Sequence, residues 1–243
     1  MRVLPPAAAL AAAAVLPLGA AACTTSSTPA PRPAVSPPAT PSAAATTASP
    51  DAGLLTGAQL SGLLEPSSYF PPGYRRQRAG TRDSGTGYEP PGASGVRKPK
   101  CRLLAATSWT SITGISGVSF AQDDYLDRAS STEIAQEIDV YPGTTARAVM
   151  RQLGAISAVC PSYTDPQTGR RAEVREQAGS RLGDGQGYVI TVTDPAWRGG
   201  TTLVAARVGT AVVTVLSTDG VDNGHGSAVR LARALVEVLQ GAT

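Results

Sequence analysis

Cys23 divides this chain into a part that can build a core and a part that cannot. An Ala/Leu-rich run from Ala7 leads to Gly19-Ala20-Ala21-Ala22, and Cys23 follows directly. Beyond it, Thr24 to Pro50 is nearly all Thr, Ser, Pro and Ala. A basic residue (Arg2), a short apolar segment, small residues and then Cys is the layout of a secretory signal that ends in a lipidation cysteine. The apolar run is shorter than the roughly 20 residues a bilayer span needs. Residues 1–22 are therefore read as a lipoprotein signal peptide, and Cys23 as the lipidation site on the outer side of the cell membrane. Ala20 stands where bacterial lipoproteins usually place Leu, so the alternative is an ordinary signal peptide and a secreted protein.

Residues 23–52, from the lipidation site through the linker, have no apolar face to bury and are expected to stay disordered and extended. Residues 53–243 remain as one domain of a size that supports a core. Its formal net charge is +3 over the whole chain, too small for a nucleic-acid partner. With Cys23 set aside, Cys101 and Cys160 are an even pair in an exported domain, which reads as a disulfide. Closing a loop of about 60 residues would stabilise the fold by about 4 kcal/mol. The alternative is two unrelated buried thiols. A metal site is disfavoured, because His225 is the only histidine.

Thr56-Gly57-Ala58-Gln59 is a capping-box pattern ahead of Leu60, Leu63 and Leu64, which share a helical face. Tyr69 to Lys98 reads as a surface loop holding at most a short strand. Cys101 to Ala105 begins a second helix. Val118 and Phe120 mark a strand. In the next strand Ile134, Gln136, Ile138 and Val140 share one face, with Glu133, Glu137 and Asp139 on the other. Thr144 or Thr145 caps a helix whose stripe is Val149, Leu153, Ile156 and Cys160. Strands follow at Ala172–Gln177, Tyr188–Val192, Thr202–Ala206 and Val212–Leu216, the last two joined around Gly209-Thr210. A final helix carries Val229, Ala232, Leu235, Val236 and Leu239, with Gly241 just past its end. Consecutive hairpins with packed helices give an α+β class with a twisted antiparallel sheet of about six strands.

The arrangement resembles the extracellular sensor domain of the PknH-type mycobacterial serine/threonine kinases, a module also found alone in actinobacterial lipoproteins. The resemblance rests on Lys100-Cys101-Arg102-Leu103-Leu104, on Glu137-Ile138-Asp139-Val140-Tyr141-Pro142, and on the helix ending in Cys160. Arg181-Leu182-Gly183-Asp184, Arg207-Val208-Gly209 and the apolar last helix complete it. It covers Leu54 to Leu239. It implies a cleft that holds a ligand, and it supplies no catalytic residues. The chain departs from the family in having cysteines for one disulfide where two are common. Ala158 and Val159 stand where a Trp often precedes the helix-ending Cys, and there is no kinase domain.

Gly183-Asp184-Gly185-Gln186-Gly187 resembles a phosphate-cradling loop but leads into a strand, so it reads as a turn. Asp123, Asp124 and Asp127 read as a solvated strand end without calcium-site spacing. His225 beside Ser227 lacks a nucleophile elbow. Arg75, Arg76 and Arg78, with Arg97, Lys98, Lys100 and Arg102, form two basic runs that could meet anionic head groups or wall polymers. Trp109 and Trp197 could line a cleft.

The sequence therefore leads to a membrane-anchored envelope lipoprotein with a non-catalytic, sensor-like ligand-binding domain. Trp109, Arg75 and Arg76 are the candidate contacts, and no cofactor or metal is called for. The ligand side is open between a small molecule, a wall polymer and an envelope protein. An adaptor that binds another protein is the second reading. A hydrolase using His225 is the third.

Overall fold

The computed structural model describes residues 53–92, 98–177, 181–185, 187–194 and 199–242. Cys23, the signal segment, the linker, Arg97, Gln186 and Trp197 lie outside the described residues.

Among the described residues eight strands form one sheet, and every neighbouring pair is antiparallel. The strands are β1 (Arg75–Asp83), β2 (Ser119–Asp127), β3 (Thr132–Val140), β4 (Ser162–Thr164), β5 (Arg171–Gln177), β6 (Tyr188–Thr193), β7 (Gly200–Val208) and β8 (Ala211–Ser217). Their order across the sheet is β1-β2-β3-β8-β7-β6-β5-β4. After β3 the chain crosses to the far edge, starts again at β4 and meanders back until β8 closes on β3. The α-helices among the described residues are α1 (Gly57–Ser61), α2 (Thr145–Gly154), α3 (Ile156–Val159) and α4 (His225–Ala242).

The count of eight corrects the expected six. The added strands are β1 and β4, the two edges. β1 reads Arg-Arg-Gln-Arg-Ala-Gly-Thr-Arg-Asp, and only Gly80 in it is buried. An edge strand open on both faces has no reason to alternate apolar and polar residues, so the period-2 signal is absent. A register shift between Gln77 and Arg82 interrupts its pairing with β2. Gly80 sits at that irregularity, where a Cβ would lie 2.0 Å from the Asp124 carboxylate, so only glycine fits. β4 is three residues long, below what a pattern can register.

The strand alternation builds two cores. On one face, Ile134, Ile138, Val204, Val213 and Val215 meet Leu60 of α1 and Leu231, Leu235 and Leu239 of α4. Phe70 and Tyr125 stack there with ring centroids 3.8 Å apart. On the other face, Ile190, Leu203, Ala205 and Val212 meet Val149 and Leu153 of α2 together with Leu104, Trp109 and Ile112. β7 and β8 lie in the middle of the sheet and are buried on both faces.

Local signals hold at several points. Thr56 and Gln59 form the capping box. Gly209 takes a φ of +57° between Val208 and Ala211, which pair, and glycine adopts that conformation without strain. The stripe Val149, Leu153, Ile156, Cys160 is buried throughout, although the helix breaks between α2 and α3. Thr144 occupies the N-cap of α2 without a side-chain hydrogen bond, and Gly241 falls inside α4. The Cys101–Ala105 segment is a 3₁₀ turn, not an α-helix.

Candidate functional site

A row of polar side chains crosses four strands on the face that carries α2. The register places Arg82 of β1 opposite Gln122 of β2, Gln122 opposite Glu137 of β3, and Glu137 opposite Thr214 of β8. Gln122, Glu137 and Thr214 are all buried. What covers them is the stretch before β2, where 3₁₀ turns at Cys101–Ala105 and Trp109–Thr113 lie over the sheet. Its start is fixed by Cys101 and Cys160, whose Cα atoms are 5.5 Å apart, inside the range a disulfide requires.

The hydrogen bonds run from the groove inward. Arg82 Nε donates to Gln122 Oε1 at 2.9 Å, and Arg82 Nη2 donates to Ser108 Oγ at 2.7 Å. Ser108 Oγ donates to Gln122 Oε1 at 3.0 Å. Gln122 Nε2 donates to Asp124 Oδ1 at 3.0 Å, and Thr107 Oγ1 donates to Asp124 Oδ2 at 3.3 Å. Deeper, Thr110 Oγ1 donates to Asp139 Oδ2 at 3.3 Å. Of the five buried side-chain atoms without a partner among the described residues, three lie here: Glu137 Oε2, Thr214 Oγ1 and Trp109 Nε1.

Burial decides the protonation of this row. It pushes the Glu137 carboxyl well above the usual carboxylate range, and the nearby Asp139 charge pushes it further. Burial raises Asp139 to about 7, against the pull of Thr110 and Arg82. Burial also raises Asp124, opposed by its bonds from Gln122 and Thr107. Two carboxyls two residues apart on β3 thus hold protons at pH values where exposed carboxyls have lost them.

An open groove of about 640 Å³ lies beside the row, lined among others by Arg82, Ser108, Gln122, Asp124 and Glu133. It offers hydrogen-bond donors and acceptors of both charge signs. No group of three or more His, Cys, Asp or Glu side chains placed to hold a metal occurs among the described residues.

The sequence-derived candidates fall elsewhere. Trp109 has no exposed surface and is a core residue beneath the groove, so its direct contact with a ligand is unavailable in this conformation. Arg76 is committed to the opposite face. Its Nη2 lies 2.9 Å from Asp123 Oδ2, its Nε donates to the Tyr125 hydroxyl at 3.1 Å, and its guanidinium stands 5.7 Å from that ring. Arg75 is exposed and donates to the Tyr74 carbonyl oxygen at 3.0 Å. The three aspartates do not form a solvated strand end. Asp123 and Asp124 lie inside β2, Asp123 buried and Asp124 half-buried, on opposite faces. Asp127 is the one that receives turn bonds, from the Ala129 N–H and the Ser130 hydroxyl. His225 begins α4 with its Nδ1 buried and unpartnered, while the Ser227 hydroxyl donates to Asp219 at 2.7 Å, so these groups make no relay.

Glu137 and Asp139 were legible only as the polar face of a strand. Their burial follows from the Cys101–Thr113 cover. A cysteine and a tryptophan just ahead of β2 were the one available sign that something apolar must lie on a sheet face.

No protein-family model matches the chain, and no curated protein matches it. Among solved structures it is similar to the crystal structure of the extracellular domain of PknH from Mycobacterium tuberculosis. The TM-score is 0.51 at 12% identity, over 76% of this chain and 97% of that chain. At that identity the likeness shows the fold alone, which is the fold the resemblance implied.

Proposed function

We propose that this chain is an extracytoplasmic, non-catalytic, sensor-like domain that takes a small polar ligand in the groove between β1, β2 and the Cys101–Thr113 cover. The observation that carries this reading is the groove itself, a concave surface whose polar lining is backed by a buried row with unpartnered atoms. A buried acceptor without a donor costs about 1–3 kcal/mol, and a site that tolerates such a cost is a candidate for function. The likeness in fold to an extracellular domain supports the location. No helix among the described residues is long and apolar enough to cross a membrane. In this reading, attachment depends on a lipid at Cys23.

The test is a native mass spectrum of the full chain purified from its own host, followed by thermal-shift measurements with any retained compound. A retained small molecule that stabilises the wild type, and no longer stabilises Gln122→Leu or Asp124→Asn, supports the groove. A compound that stabilises all three chains equally places the site elsewhere. Attachment is tested separately: Cys23→Ser should leave the membrane fraction or remain as an uncleaved precursor, and a mature mutant that stays on the membrane would refute the lipid anchor.

A further inference from the structure

A second groove, about 230 Å³ in volume, is lined by three arginines. Arg147 and Arg151 of α2 line it together with Arg207 near the end of β7, and Met150, Asp184, Gly185 and Tyr188 complete the lining. The spacing of four puts Arg147 and Arg151 on one helix face. Both are exposed, and neither side chain has an ion pair or hydrogen bond among the described residues. Arg207 differs. Its Nη1 lies 2.9 Å from Asp184 Oδ2, and the same carboxylate oxygen accepts the Gly209 N–H at 2.7 Å.

The single acid of the groove is thus already engaged, and three positive groups against one negative leave two charges unmatched. Like charges around a concave surface raise the local concentration of anions. Guanidinium forks match the oxygens of phosphate in both geometry and charge. The groove has a firm floor, because Tyr188 packs so closely on α2 that a Cβ at Gly154 would stand 2.3 Å from its ring. The turn at Gly183-Asp184-Gly185, set aside above as a phosphate cradle, contributes Asp184 and Gly185 to this lining. The positive charge comes from the arginines.

We propose that the Arg147–Arg151–Arg207 groove binds a phosphate group in its doubly charged form. This site is separate from the groove over the buried carboxyl row, and either can exist without the other. The phosphate could be free or carried by a soluble monoester, or belong to a lipid head group, and the experiment separates these sources.

The full chain with Cys23→Ser, which carries no acyl group, is titrated with inorganic phosphate and with glycerol 3-phosphate by ³¹P NMR. It is also sedimented with phosphatidylcholine vesicles, with and without phosphatidic acid. Binding of the soluble phosphates identifies an ester ligand, and binding confined to phosphatidic-acid vesicles identifies a head group. Either supports the site if Arg147→Gln weakens it about tenfold and Arg147→Gln/Arg151→Gln about a hundredfold, the loss of one and two charge-assisted hydrogen bonds. Lysine at both positions should keep part of the affinity. Both residues are exposed on a helix, so an unchanged circular dichroism spectrum is expected for each variant. Wild type that binds neither probe, or a double glutamine variant that binds as wild type does, overturns the proposal.

Discussion

Glu137 and Thr214 stand opposite each other on β3 and β8, both buried, and neither Glu137 Oε2 nor Thr214 Oγ1 finds a hydrogen-bond partner. A hydroxyl facing a carboxyl would normally close that gap. Here Gln122, on the other side of Glu137, is taken up by Arg82, Ser108 and Asp124. The row satisfies its outer members and leaves its centre open.

Stability should fall as pH rises. The folded state holds the protons of Glu137 and Asp139 to higher pH than the unfolded chain does, because burial raises both groups. Their contribution is complete below about pH 4, where the unfolded chain is also protonated. The Asp139 share is lost as pH climbs through its folded value, about 7, and the Glu137 share through its own raised value. The urea midpoint should therefore be higher at pH 5 than at pH 8. Glu137→Gln should flatten much of that slope and be about 1 kcal/mol or more stabilising at pH 8. A midpoint that rises over this range would contradict the assignment.

Trp109→Ala should cost about 3–5 kcal/mol, the usual range for emptying a fully buried aromatic site. Trp109→Phe should cost far less than that, because the indole Nε1 makes no hydrogen bond that Phe would lose. Equal losses in chemical denaturation would mean that the indole nitrogen has a partner after all.

Removing Arg76 should leave Asp123 buried without its cation. The Arg76 side chain is 45% exposed and that of Asp123 5%. The loss is therefore discounted to about 1–2 kcal/mol for Arg76→Ala at neutral pH. Asp123→Asn in the same background should recover part of it. If the double variant is no more stable than Arg76→Ala alone, charge burial is not the cause.

The folded domain should show no free thiol at Cys101 or Cys160. The double Cys→Ser variant should lose about 2–4 kcal/mol. Its Cys101–Thr113 cover should also become more open to protease, since that segment then loses its anchor beside β4. Two titratable thiols in the folded, untreated protein would disprove the bond.

Much of the fold could be read from the chain, and the reasons are local. Ile134, Ile138 and Val140 alternate with Glu137 and Asp139, so β3 and its two faces were visible. Thr56 with Gln59 announced α1. β1 was not visible, because an edge strand rich in arginine has no face to conceal. The candidate site was half legible. The acids and the amide were there to be seen, but a pattern of two cannot say whether a polar face meets water or another layer. That depends on where the chain before β2 comes to rest, and 3₁₀ turns leave no clear period. Trp109 was read as a candidate ligand contact, and it lies in the core.

The two margins of the sheet bear on how such molecules behave in company. β4 offers a neighbour three residues of backbone, and β1 offers a bulged strand bearing four arginines. A second copy trying to extend the sheet would meet a stub at one margin and a fence of like charge at the other. Exposed strand edges are a common route to aggregation. Both margins therefore disfavour extension of the sheet by a second copy.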